Sequence, residues 1–229
     1  MSFHDGVISQ FAGYENLEAL DWARYRQQYG NIGRLDLILE AEGDSTNQYK
    51  LAKQADVLML LYLLGEPGLV EALARLGYTL THEDVRQTVD YYLARTSHGS
   101  TLSGVVHASV LARMDPAEAW PLFQRTLTAD LDDTQGGTTE HGIHLGAMAG
   151  TIDIVTRAFA GVTVDGNTVT LDARLPARLA GARFELQHRG QRLRVSLSPA
   201  STQVTAHPCS ANPDVDVRVI PPPTEDRTP

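Results

Sequence analysis

From about Leu17 to Ala160 the apolar residues recur three and four positions apart, and polar capping signals rather than strand alternation separate the runs. That spacing puts an apolar stripe on one side of a helix. It predicts helices over about 17–28, 33–42, 53–64, 81–94, 101–114 and 116–129, with a seventh over about 142–159. Two of the starts are explicit. Thr81 with Asp84 fits a capping box, in which a hydroxyl and a carboxylate satisfy the free amides that open a helix. Asp115, Pro116 and Glu118 combine a cap, a proline whose missing amide is not needed at the first helical position, and an acid at the positive end of the dipole. That helix is expected to carry Trp120, Phe123 and Leu127 inward. Short connections favour antiparallel helix pairs, as in a bundle or an α/α toroid.

After Gly161 the period changes to two. The run VTVDGNTVTL places Asp165-Gly166 between two alternating segments, a hairpin signal because both residues tolerate the positive φ of a tight turn. RFELQHRGQRLRVSL repeats the scheme, with Phe184, Leu186, Leu193, Val195 and Leu197 on one face. The expected organisation is an α domain over 1–160, a small β-sandwich over 161–220, and a flexible tail over 221–229. The tail, PPPTEDRTP, has no means of burying apolar surface.

The composition changes this picture little: 229 residues with 42% hydrophobic and 21% charged are enough for a buried core. The net charge of −9, with its cations scattered, argues against nucleic acid or an anionic membrane surface as partner. The longest apolar run, Val57–Leu64, falls far short of the ~20 residues that cross a bilayer. The opening MSFHDGVISQ has no signal-like n- and h-regions, and a lone Cys209 suits a cytoplasmic protein.

Candidate chemistry concentrates where Ser97, His98, Gly99, Ser100 and Thr101 precede a predicted helix. A helix start offers unpaired amides and a positive dipole, Gly99 allows close backbone approach, and two hydroxyls add donors, so an anion would sit well there. The same residues also read as an ordinary N-cap with a polar loop histidine. Lys53, Gln54 and Asp56 open the predicted 53–64 helix, either as donors to a ligand or as a solvated first turn. His141 and His144 share a helical face, but no further ligand lies nearby, so no metal is expected. The LDD and QGGTT segments from Leu131 to Thr139 read as a helix end and its connection.

Four segments in order, ISQFAGYENLEALDW with YRQQYG, YKLAKQADVLMLLYLL, RTSHGSTLSGVVHA and ADLDDTQGGTTEHGIHLGAMAGT, resemble glycoside hydrolase family 65, the maltose, trehalose and kojibiose phosphorylases. The resemblance covers nearly the whole chain apart from the tail. It implies about half of an (α/α)6 toroid followed by the family's C-terminal β-sandwich. It also implies an inverting phosphorolysis of an α-linked glucose disaccharide, with inorganic phosphate as co-substrate and no cofactor. Lys53 and Gln54 are carried over as glucose-binding residues from the family's KQAD segment. His98, Gly99, Ser100 and Thr101 are carried over as the phosphate loop, Thr101 standing where the family has serine, and His144 as a further phosphate donor. The general acid, a glutamate in a Pro-Asp-Glu context upstream in the family, is not found in this chain. A separate chain carrying the N-terminal half is therefore an expected partner, and dimers occur in the family. A phosphorylase needs one acid where an inverting hydrolase needs an acid and a base. The hydrolase alternative would use Glu140 as base, and a third reading is a non-catalytic remnant or subunit.

Overall fold

The computed structural model describes residues 2–54, 56–207 and 215–221. A two-strand hairpin, β1 (Phe3–His4) and β2 (Val7–Ile8), opens it. Helices follow: α1 (Trp22–Tyr29), α2 (Leu35–Ala41), α3 (Leu58–Arg75), α4 (His82–Leu93), α5 (Thr101–Met114), α6 (Pro116–Leu127) and α7 (Leu145–Asp153), the last running into a π-helical turn over Ile154–Phe159.

The central helix is α5. Nine of its residues, from Ser103 through Ala112, are buried, because α3, α6, α7 and the π-helical turn all pack on it. A helix apolar on all sides needs such a wrapped position. Val85, Val89 and Tyr92 of α4 join the same core, and Tyr92 ties the hairpin down by donating its hydroxyl to the Ile8 carbonyl at 2.8 Å. A second, smaller core gathers Tyr25, Leu35, Leu39 and Leu51 around α1 and α2.

The capping box forms as read, with Thr81 and Asp84 exchanging side-chain and backbone hydrogen bonds. Asp115 caps α6 through Ala117 and Glu118. Other expectations need correcting. The third helix begins at Leu58, so Lys53 and Gln54 lie in the bend before it. It also continues past Leu64 through a kink at Gly65, whose φ of 66° a side chain would resist. Of the three residues expected to face inward on α6, Phe123 is buried and Trp120 packs at the core edge, but Leu127 is exposed because it ends the helix. The seventh helix starts three residues late and changes to a wider turn at Ile154. The opening hairpin was not expected, since two-residue strands carry no period.

Beyond Gly161 stand β3 (Val162–Asp165), β4 (Thr168–Asp172), β5 (Ala182–His188), β6 (Gln191–Ser198), β7 (Ser201–His207) and β8 (Asp216–Ile220). They form two sheets, ordered β3-β4-β8 and β5-β6-β7, with β8 parallel to β4. Val169 and Leu171 of the first sheet meet Leu193, Val195 and Leu197 of the second, which makes a sandwich. The first hairpin pairs Asp165 with Thr168, so its turn is Gly166-Asn167, one residue later than read. In the second, Phe184 pairs with Val195 and Leu186 with Leu193, as the alternation required. The helical and β parts are joined by Arg113 of α5, which donates to the carbonyls of Ala158 and Asp172 and pairs with the Asp172 carboxylate. Of the expected tail, residues 222–229 lie outside the described residues.

Candidate functional site

Two sequence motifs 45 positions apart are brought side by side. Ala52 pairs in parallel with Thr96, Ala52 N–H donates to the Arg95 carbonyl at 2.8 Å, and Ser97 N–H donates to Ala52 at 2.9 Å. The ladder ends with Gly99 N–H donating to the Lys53 carbonyl at 2.9 Å. A Cβ on Gly99 would stand 2.6 Å from the Gly33 carbonyl and 3.0 Å from Lys53 Cγ, so only glycine lets these three strands of backbone converge.

The His98–Thr101 loop leads straight into α5. Ser100 has the extended backbone of an N-cap, yet its hydroxyl makes no capping hydrogen bond. The hydroxyl is thus not used as a cap, while the Ser103 amide is taken up by the Ser100 carbonyl at 3.1 Å. His98 holds a left-handed φ of 56°, a conformation uncommon outside glycine that surrounding structure must enforce.

A buried chain of hydrogen bonds fixes the His98 ring. His107 Nδ1 lies 2.8 Å from the Ser103 carbonyl, which can only accept, so His107 carries its proton on Nδ1. Ser103 Oγ bridges the two rings, 3.4 Å from His107 Nδ1 and 3.0 Å from His98 Nδ1. The contact fixes the orientation of the His98 ring, which when neutral has one N–H. Burial and the charges of His107, Arg125 and Arg26 push the His98 pKa down to about 3. Burial pushes His107 to about 4, partly offset by its bond to Ser103.

Two clefts flank the Gly33–Gly99–Lys53 contact. One, of ≈440 Å³, is lined by Lys53, Asp36, Asp56, Gln10, Asn47 and Tyr49 among others. Lys53 Nζ donates to Asp36 Oδ2 at 2.7 Å. Against the upward push of burial, the bonds from Arg34 and Lys53 draw the Asp36 carboxyl down to about 2, so it is an acceptor and not an acid. Carboxylates, amides and an aromatic face in one concavity suit a polyhydroxylated ligand. The other cleft, of ≈430 Å³, is lined by Arg26, Asn31, Ser97, His98 and Arg125. Arg125 also borders a much smaller depression containing Ser100, Thr101 and Gln135, and Gln135 Nε2 donates to the His98 carbonyl at 3.4 Å.

Not every expected residue gathers here. Gln54 is exposed in the bend after Lys53 and lines neither cleft. His144 is bound by Asp130, at 2.5 Å through Nδ1 and 2.9 Å through its backbone N–H, and its Nε2 lies 3.3 Å from Thr138 Oγ1. It caps α7 and contributes to neither cleft, because Asp130 anchors the loop that carries it. His141 lies exposed beside Glu140, itself exposed and lining neither cleft. Among the described residues no three metal-ligating side chains come together, and no helix is long and apolar enough to cross a membrane. Sequence reasoning missed Arg26, Arg125 and Asp36. Each arginine sits in the last turn of its helix, where a cation is ordinarily read as complementing the dipole.

The arrangement is a helical module presenting a donor-rich loop beside polar clefts, followed by a small β-sandwich. Comparison narrows it: the chain matches "Glycosyl hydrolase family 65 central catalytic domain" over residues 1–153 and "Glycosyl hydrolase family 65, C-terminal domain" over residues 162–219. The chain belongs to glycosyl hydrolase family 65. An uncharacterized glycosyl hydrolase of Mycobacterium tuberculosis H37Rv is 52% identical over 92% of this chain, which spans 16% of that protein. The trehalose 6-phosphate phosphorylase of Lactococcus lactis is 36% identical over 88% of the chain and 26% of its own length. The kojibiose phosphorylase of Halothermothrix orenii is 32% identical over 83% and 22%. A solved structure from the human microbiome, provisionally designated a kojibiose phosphorylase, superposes with a TM-score of 0.69 over 89% of this chain and 26% of that one, at 19% identity. The chain thus spans about a quarter or less of the length of these relatives.

Proposed function

We propose that this chain supplies the phosphate loop and part of the glucose-binding cleft of an inverting disaccharide phosphorylase, with its helices forming about half of an (α/α)6 toroid. One observation carries the reading: the backbone ladder from Ala52 to Gly99 sets Lys53 against the His98–Thr101 loop, so an anion on the loop lies beside a sugar in the Lys53 cleft. In this reading the amides of the α5 start, the hydroxyls of Ser100 and Thr101 and the ring N–H of His98 hold inorganic phosphate. Lys53 and the ionised Asp36 take sugar hydroxyls, with Gln54 at the cleft's margin.

Phosphorolysis forms a bond from a phosphate oxygen to the anomeric carbon and breaks the glycosidic C–O bond, while a general acid protonates the leaving oxygen. Asp36, held ionised, cannot be that acid. The acid is assigned to a glutamate outside residues 1–229, supplied by a further segment or a separate chain, with the protein acting in the cytoplasm. Phosphate is already a nucleophile at neutral pH, so donors rather than a catalytic base serve on the attacking side. The substrate is an α-linked glucose disaccharide, with trehalose 6-phosphate and kojibiose the first to test, given the relatives.

The test is product analysis after co-expression with the polypeptide corresponding to the remainder of a family relative. The expected result is phosphate-dependent release of β-glucose 1-phosphate, and none from the 229-residue chain alone. Free glucose released at a rate independent of phosphate would refute phosphorolysis in favour of hydrolysis.

A further inference from the structure

We propose that the cleft between the kink of α3, the second half of α5 and strand β3 binds a neutral, largely apolar small molecule carrying one hydroxyl group, seated on Ser109. The cleft lies where the helical module meets the sandwich, and none of its lining residues belongs to the phosphate loop, the Lys53 cleft or the arginine cleft.

Its volume is ≈600 Å³, within the range of about 300–1,000 Å³ usual for small-molecule sites, which favour domain junctions. Leu61 and Leu64 of α3, Val110 and Met114 of α5, and Val162 and Val164 of β3 supply apolar walls. The α3 wall is bent at Gly65, and Pro67 cannot supply the amide that the Leu63 carbonyl would take in a regular helix. The walls are fixed in place by hydrogen bonds. Tyr62 of α3 donates its hydroxyl to Asp153 Oδ2 of α7 at 2.7 Å, and Arg113 of α5 donates to the Ala158 and Asp172 carbonyls. A cleft held open in this way asks little ordering of itself when a ligand enters.

The class of ligand follows from which polar groups are already spent. The two arginines and two carboxylates of the lining are committed: Arg113 pairs with Asp172, Arg157 with Asp153 at 3.3 Å, and Glu66 lies 2.7 Å from His82 Nδ1. An ion would find opposing charges already neutralised. Ser109 differs, because its Oγ is buried and, among the described residues, has no hydrogen-bond partner. A helical hydroxyl commonly returns to the carbonyl four residues back, as those of Thr126, Thr128 and Thr156 do at 2.8, 3.3 and 2.9 Å. Ser109 makes no such bond and lines the cleft. A buried hydroxyl left unmatched is unfavourable, so a partner entering the cleft gains what the fold forgoes. Water suits poorly, since a buried water wants roughly two to four polar partners and the neighbouring groups are taken. A ligand hydroxyl suits well, because Ser109 can donate to it or accept from it while an apolar body covers the leucine and valine walls.

The experiment is a titration of the full 229-residue chain at neutral pH with 2-naphthol, naphthalene and 2-naphthoate as separate probes, read from the methyl NMR signal of Met114. The three share one apolar body and differ in carrying a hydroxyl, nothing or a charge. 2-Naphthol is expected to move the Met114 signal saturably and to bind at least fivefold more tightly than either other probe. Ser109→Ala, which removes the unmatched group and puts no demand on folding, should weaken 2-naphthol at least fivefold and leave naphthalene unchanged. Leu64→Glu, at a half-exposed position of the wall, should weaken both. A Met114 signal that none of the probes moves would overturn the proposal, as would 2-naphthoate binding as tightly as 2-naphthol. Undiminished 2-naphthol affinity in either variant would overturn it equally.

Discussion

At the residue scale the account turns on a buried His98–Ser103–His107 chain whose two rings are held neutral. The consequence for stability is a definite sign. Both histidines take up protons in the unfolded chain as pH falls below the ordinary value near 6.5, but in the folded chain only near 3 and 4. Their contribution is therefore complete above pH 6.5 and is lost progressively as pH falls from there toward 4 and 3. Thermal melts across pH 7 to 4 should show stability falling with a slope approaching two protons. His107→Gln should remove about half of that slope, and a slope unchanged in the variant would contradict the assignment. The loop itself was legible in the sequence, because a hydroxyl-rich, glycine-containing stretch before a helix has few uses. The free state of the Ser100 hydroxyl was not, since a capping and a non-capping serine are the same letter. Arg26 and Arg125 were invisible for a further reason: no local pattern shows that α1 and α6 end at the same place.

At the scale of elements, periodicity located the helices and strands well where each was long, as in α5, predicted over 101–114 and found over Thr101–Met114. It failed where tertiary contact overrides local preference. Lys53 and Gln54 would satisfy a first helical turn, but the backbone of 52–53 is committed to a ladder with 95–99, and the helix begins only at Leu58. Pairing the Lys53 segment to the loop thus excludes it from the helix, and the site exists because of that mismatch. The junction of helices with the sandwich is a second point that no pattern discloses. Arg113 carries it through two backbone carbonyls and the Asp172 carboxylate. Hydrogen bonds from a charged group are worth roughly 1.5–3 kcal/mol. Arg113→Met, which keeps the aliphatic stem, should lower unfolding free energy by about that amount in a denaturant titration, with a loss below ~0.5 kcal/mol contradicting the role.

For the whole molecule, the order of an α module followed by a small β module was readable from the change of period at Gly161, while the packing around α5 was not. Ile143, Leu145 and Ile152 are exposed on and before α7. The central claim is that the start of α5 is an anion site rather than a capped helix end. Isothermal titration of inorganic phosphate into the chain and into its Ser100→Ala/Thr101→Val variant tests this most directly. The account predicts at least tenfold weaker binding by the variant, with a melting temperature close to that of the parent because the Ser100 hydroxyl caps nothing. Equal phosphate affinity in the two proteins would contradict it.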